Sequence, residues 1–144
     1  MKDLSTMNHD EVKSYLFPNN LTFKLRNGAG EIRETYLHIT NYSANGNLAI
    51  FLLNECEIFD GSKDFEDYAS LTVNIIGLGP FVAAIDVNNL PPTIIEDLTQ
   101  ANLIEDLNSC VESGFCSYPL VRFIPEQLRL FNAPETDEYL AKFF

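Results

Sequence analysis

A chain of 144 residues with 46% apolar side chains, eleven Phe and six Tyr is long enough to bury one core and too apolar to stay disordered. Its 21 acidic and 9 basic residues leave a formal net charge of −12. That balance argues against direct contact with nucleic acid or an anionic membrane, since both are held by basic side chains.

No apolar run approaches the roughly 20 residues a membrane helix needs. The longest, Leu78–Ile85, contains Pro80. The first 13 residues are polar and lack the apolar centre of a secretion signal. Cys56, Cys110 and Cys116 make an odd count that does not read as a disulfide framework. The expected compartment is the cytoplasm.

In chain order, the first predicted element is a helix over residues 8–16, with Asn8 as its cap and Glu11 three residues on. Phe17-Pro18-Asn19-Asn20 ends it. Leu21, Phe23 and Leu25 then alternate with Thr22, Lys24 and Arg26, the pattern of a half-buried antiparallel strand. Asn27-Gly28-Ala29-Gly30 is a hairpin turn, and residues 32–39 return as the second strand. Asn45-Gly46 marks another turn before residues 48–53, which are apolar on both faces and therefore central. Residues 55–67 read as a polar, acidic connection. Residues 68–76 form the fourth strand and residues 81–87 the fifth, with Gly77-Leu78-Gly79-Pro80 as the turn between them.

A helix starts near Pro92 or Thr93, where proline's missing N–H has no helical partner to lose. Ile94, Leu98 and Ala101 form its apolar stripe, Glu96, Asp97 and Gln100 its polar side, and Asn102 its stop. After a turn at Gly114, residues 118–124 form the last strand; amphipathic pieces follow at 126–131 and 135–144. The expected fold is α+β: a mostly antiparallel sheet of five to six strands, one packed central helix and short terminal helices. The expected organisation is one domain over 1–144, with its core at about 20–124.

The sequence holds little catalytic or metal chemistry. Cys110 and Cys116 have no second pair, and His9 and His38 are the only histidines, so no zinc spacing exists. Asp60, Asp64, Glu66 and Asp67 crowd one segment with Gly61, but not in the order of a calcium-binding loop. A Cys116–His38 pair is the one nucleophile and base that can be drawn. No metal, cofactor or catalytic residue is assigned, and the expectation is a protein that is not an enzyme.

The charge distribution points elsewhere. Between Arg33 and Arg122 the only basic residue is Lys63, against thirteen carboxylates. Such a surface attracts a basic protein partner and speeds its association. In a more specific form, the carboxylates stand in for the phosphates of a duplex and occupy the basic groove of a nucleic-acid-handling enzyme. The candidate partner-binding residues are Glu55, Glu57, Asp60, Asp64, Glu66, Asp67, Glu96 and Asp97. The alternative is a small-molecule or peptide pocket at the sheet's end, around Asn74, Asn88, Asn89 and Tyr118. An open apolar sheet face would add homodimerisation.

Four pieces also carry a resemblance: Tyr42-Ser43-Ala44-Asn45-Gly46-Asn47-Leu48-Ala49-Ile50, Ala69-Ser70-Leu71-Thr72-Val73-Asn74, Asp86-Val87-Asn88-Asn89, and Gly114-Phe115-Cys116-Ser117-Tyr118-Pro119-Leu120. In that order, across a little over half the chain, they resemble a family of small proteins of unknown function carried by mobile elements of gut bacteria. The resemblance implies no catalytic residues. It implies a mobile-element setting, in which interference with a host defence enzyme is a natural role.

Overall fold

The computed structural model describes residues 2–58 and 60–143. Phe59, inside the stretch read as an acidic connection, and Phe144, the end of the predicted tail, lie outside them. The fold is α+β with antiparallel strands, but among the described residues eight strands form two sheets where one sheet of five to six was expected.

After a 3-10 turn at Leu4–Thr6 comes helix α1 (His9–Leu16). Asn8 and Glu11 close a full capping box on it. The first sheet runs in chain order: β1 (Phe23–Arg26), β2 (Ile32–Asn41), β3 (Leu48–Glu57) and β4 (Lys63–Ser70). The second contains β5 (Thr72–Val73), β6 (Val82–Ile85), β7 (Ile104–Ser113) and β8 (Cys116–Phe123), in the order β5-β6-β8-β7. Helix α2 (Ile94–Gln100) lies between β6 and β7 in the chain, and α3 (Pro125–Ala141) follows β8.

The predicted strand over 68–76 is where one sheet becomes two. Its alternation of Leu71, Val73 and Ile75 suggests a continuous strand, yet the chain changes partner at Leu71. The Leu71 N–H donates to Ile50 O at 2.9 Å, while Leu71 O accepts from Asp86 N at 3.1 Å. Before Leu71 the chain pairs with β3, after it with β6. Leu71 is wholly buried, so alternation alone does not reveal the switch.

Two further corrections share one cause. The predicted acidic connection is a hairpin in which β3 continues to Glu57 and β4 returns from Lys63. Strand β7 was not predicted at all. Both arms extend past the core, so neither carries the apolar alternation that marks a half-buried strand. On β7 only Ile104 is buried, and on β4 no residue is.

The main core lies between the sheets and under two helices. Leu37, Ile39, Leu48, Ile50 and Leu52 come from the first sheet, Ala83, Ile85, Val121 and Phe123 from the second. Ile94 and Leu98 of α2 and Leu128, Phe131 and Tyr139 of α3 complete it. Because side chains alternate along β2, Tyr36 points to the opposite face. There it joins Leu16 and Phe17 in a second cluster, backed by Val12, Leu53 and Phe65. This cluster fastens α1.

Helix α3 solves an edge problem. β1 pairs only with residues 32–35 of β2, which leaves the following stretch of β2 open on that side. The helix breaks at Asn132, whose φ of −161° and ψ of 83° are extended. Asn132 then acts as a cap for the second half: its Oδ1 accepts from Glu135 N at 3.2 Å, and Pro134 falls in a first turn, where it is tolerated. Asn132 Nδ2 donates to Leu37 O at 2.9 Å, and Ile39 N donates to Glu135 Oε1 at 2.9 Å. Two side chains thus complete the β2 edge as a neighbouring strand would.

His38 Nδ1 meets the same Glu135 carboxylate at 2.9 Å. That hydrogen bond raises the His38 pKa above its usual 6.5 against the opposing effect of burial, with help from the Glu135 and Asp67 charges. A raised histidine pKa stabilises the fold fully below 6.5, and the contribution fades as pH climbs through the raised value. Urea midpoints should therefore fall over that rise, and His38→Gln should flatten the response. Glu135→Ala leaves Ile39 N–H without its acceptor and should cost about 2–3 kcal/mol in the same titration. An unchanged midpoint in Glu135→Ala would refute the edge-closing role.

Candidate functional site

The β3–β4 hairpin carries most of the candidate carboxylates. Its turn is closed by Gly61 N donating to Ile58 O and Ile58 N donating to Ser62 O, with Gly61 at φ 83°, a conformation glycine adopts freely. Asp60 accepts from the Ser62 N–H at 3.0 Å and from its hydroxyl. Those bonds hold the Asp60 carboxyl below its usual range.

The register sorts the other side chains. Leu53 faces Asp67, Glu55 faces Phe65 and Glu57 faces Lys63, so these lie on the α1 side. Asn54 faces Glu66 and Cys56 faces Asp64 on the other. Partial burial, then the Glu66 and Asp64 charges, push the Cys56 thiol up, which makes it a poor nucleophile.

Glu55 is a structural carboxylate rather than a free one. Its Oε2 sits 2.6 Å from His9 Nε2 and its Oε1 accepts from Lys13 Nζ at 3.2 Å. Burial pushes its pKa up, but the bonds and charges of His9 and Lys13 prevail and hold it below the usual 4.5. Asp97 is likewise engaged: it accepts from Thr93 Oγ1 at 3.0 Å, and Arg26 lies 3.7 Å away. The helix reading placed Asp97 on the exposed side; in the structure it turns toward β1. Glu96 remains exposed on α2, where its contact is Gln100.

Glu57, Asp60, Asp64, Glu66 and Asp67 are exposed, and none stands in an ion pair among the described residues. Asn54 Nδ2 donates to Glu66 at 3.1 Å and its Oδ1 accepts from Arg33 Nη1 at 2.9 Å. The Arg33 guanidinium lies over the Tyr68 ring at 4.6 Å. Arg33, Asn54 and Tyr68 line a cleft of about 440 Å³ beside the hairpin. Sequence reasoning missed this trio, because nothing local links residues on three strands.

Of the alternative pocket's residues, Asn88 and Tyr118 meet, while Asn74 and Asn89 bond to other partners. Asn74 Oδ1 accepts from Asn45 and Asn47, clamping two loops together at 3.0 Å each. Asn89 donates to Asp86. Asn88 stands beside Tyr118, whose pKa is pushed up by neighbouring Cys116. Cys116 and His38 have separate partners, Tyr118 for the one and Glu135 for the other. Among the described residues no group of three or more His, Cys, Asp or Glu side chains is placed to hold a metal ion. No helix of the described residues is long and apolar enough to cross a membrane.

The family described as Domain of unknown function (DUF4313) matches residues 36–143. The chain belongs to that family. None of the curated proteins and none of the solved structures matches it. The DUF4313 match takes in both sheets from Tyr36 onward, the acidic hairpin and α3; α1 and β1 lie outside it.

Glu55→Ala should detach α1 from the sheet. The expected result is faster amide exchange over residues 9–16 and a loss of about 1–2 kcal/mol. Because the Glu55 pKa is lowered, its contribution is present above 4.5 and disappears as pH falls through the lower value. Unchanged exchange in α1 would show that the apolar cluster alone holds the helix.

Proposed function

We propose that this DUF4313 protein is a non-enzymatic interaction protein that docks a basic protein through the carboxylates of its β3–β4 hairpin. In its specific form, it is a nucleic-acid mimic that inhibits a host nucleic-acid-handling or defence enzyme in the cytoplasm. The observation that supports this reading is the set Glu57, Asp60, Asp64, Glu66 and Asp67: exposed, free of ion pairs among the described residues, and mounted on a regular hairpin.

Carboxylates neutralised inside the fold offer a partner little. These five still carry their field into solvent, where it steers a cationic surface toward the arm. Asp64 and Glu66 share a face and stand about 6.6 Å apart along the strand, at ~3.3 Å per residue. Duplex DNA is denser, with one phosphate per ~1.7 Å of axis. The hairpin therefore supplies steering and register, and the remaining exposed acids supply the rest of the charge. The resemblance to mobile-element proteins favours a host enzyme as the target.

The test is affinity capture of basic proteins from a bacterial lysate at low and high salt, with Asp64→Lys, Glu66→Lys and Asp67→Lys combined as the comparison. The expected outcome is a nucleic-acid-binding protein held at low salt and released at high salt. The triple variant should bind it at least about tenfold more weakly. Salt-insensitive capture, or equal capture by the triple variant, would count against the reading.

A further inference from the structure

The outer edge of β7 and the tip of the β7–β8 arm have no role in the hairpin described above. From Glu105 to Leu120 no residue is buried, so this part of the second sheet is a two-stranded arm standing clear of the core. β8 pairs one edge of β7 along its length, from Ile104 opposite Phe123 to Ser113 opposite Cys116. β7 ends the strand order, and no other strand of the described residues pairs its second edge. At the tip, between Gly114 and Cys116, Phe115 is fully exposed. Burying such a ring on binding is favourable, and the isolated chain gains none of that benefit.

We infer that β7 accepts an extended, basic segment of the partner as an added strand, with Phe115 anchoring it at the tip. This rests on the basic partner proposed above. An open edge is a hazard that proteins normally blunt with lysine, proline, shortness or a bulge. β1 is four residues long and carries Lys24 and Arg26; β5 is two residues long. β4 begins with Lys63 and is bulged opposite Leu52 and Leu53. β7 has ten residues without lysine or proline. Its one irregularity falls between Asp106 and Ser109, where Asn108 adopts φ 54°, and leaves Ser109–Ser113 regular.

Charge selects the occupant. β7 carries Glu105, Asp106 and Glu112 and no cation; Glu105 already meets Arg122 of β8 at 3.7 Å, which leaves Asp106 and Glu112 to attract a cationic strand. A second copy of the chain is a poor fit: the antiparallel register that overlaps all ten residues sets Glu105 opposite Glu112 of the other copy, and like charges directly opposite destabilise a pair. A strand bearing Lys or Arg at alternate positions reverses that sign. Backbone hydrogen bonds supply the affinity and the alternate side chains the selection, the usual division in strand addition.

The probe is a ten-residue peptide alternating Lys and Val, compared with the same sequence N-methylated at every residue, which keeps the charge and removes the donors. Amide exchange of the full chain is measured with each. The unmodified peptide should slow exchange over residues 105–113 by at least tenfold; the methylated one should not. Phe115→Ser should weaken binding several-fold without changing free-chain stability. Equal effects of both peptides, protection confined to β4, protection nowhere, or a peptide-free dimer protected at β7 would each overturn the inference. If both peptides bind equally and the triple hairpin reversal abolishes both, the charge-based function survives and the strand-addition inference falls.

Discussion

The structure depends on how α3 closes the first sheet. A strand edge inside a protein must have its N–H and C=O groups met, and β1 is too short to meet those of β2 beyond Thr35. Asn132 supplies the missing donor and Glu135 the missing acceptor from a break in the helix, and both are buried while doing so. Thr136 joins them by donating to Asn132 O at 2.7 Å. A half-satisfied buried network is worse than an apolar core, so each member enforces the others. Because α3 also carries Leu128, Phe131 and Tyr139 into the main core, the network sets where the last helix meets both sheets.

Once that edge is closed, the sheets are free to extend. The β3–β4 and β7–β8 hairpins run past the core, and there the selection for apolar side chains lapses. Exposed carboxylates accumulate on the first arm and an exposed phenyl ring caps the second. Charges mounted on regular hairpin strands stand in register before any partner arrives, an arrangement that lowers the entropic cost of binding under the function proposed above. Arg33, stacked on Tyr68 and bonded to Asn54, places one cation at the foot of the acidic arm and fixes the cleft beside it.

Legibility in the sequence followed burial. The Asn8–Glu11 capping box, the Asn27–Gly30 turn and the strands around Leu37 and Ile50 were all readable, because capping chemistry, turn residues and a short continuous apolar run are local signals. The position of α2 followed from Pro92 just ahead of its Thr93 cap and from the Ile94–Leu98 stripe. β7 left no such trace, since nearly all of it faces water. The division into two sheets was hidden in a single residue, Leu71, whose two backbone groups serve different strands. Among the candidate carboxylates, Glu55 and Asp97 looked as free as their neighbours. Their partners His9, Lys13 and Arg26 are brought to them only by tertiary packing.

The central claim is that the exposed acids of the β3–β4 hairpin occupy a surface that otherwise holds nucleic acid. The most direct measurement titrates the protein into a complex of its captured partner with labelled duplex DNA, over a range of salt. The account expects displacement of the duplex, with log affinity for the protein falling linearly with log salt, as phosphate-like contacts require. A stable ternary complex of protein, partner and duplex would contradict it.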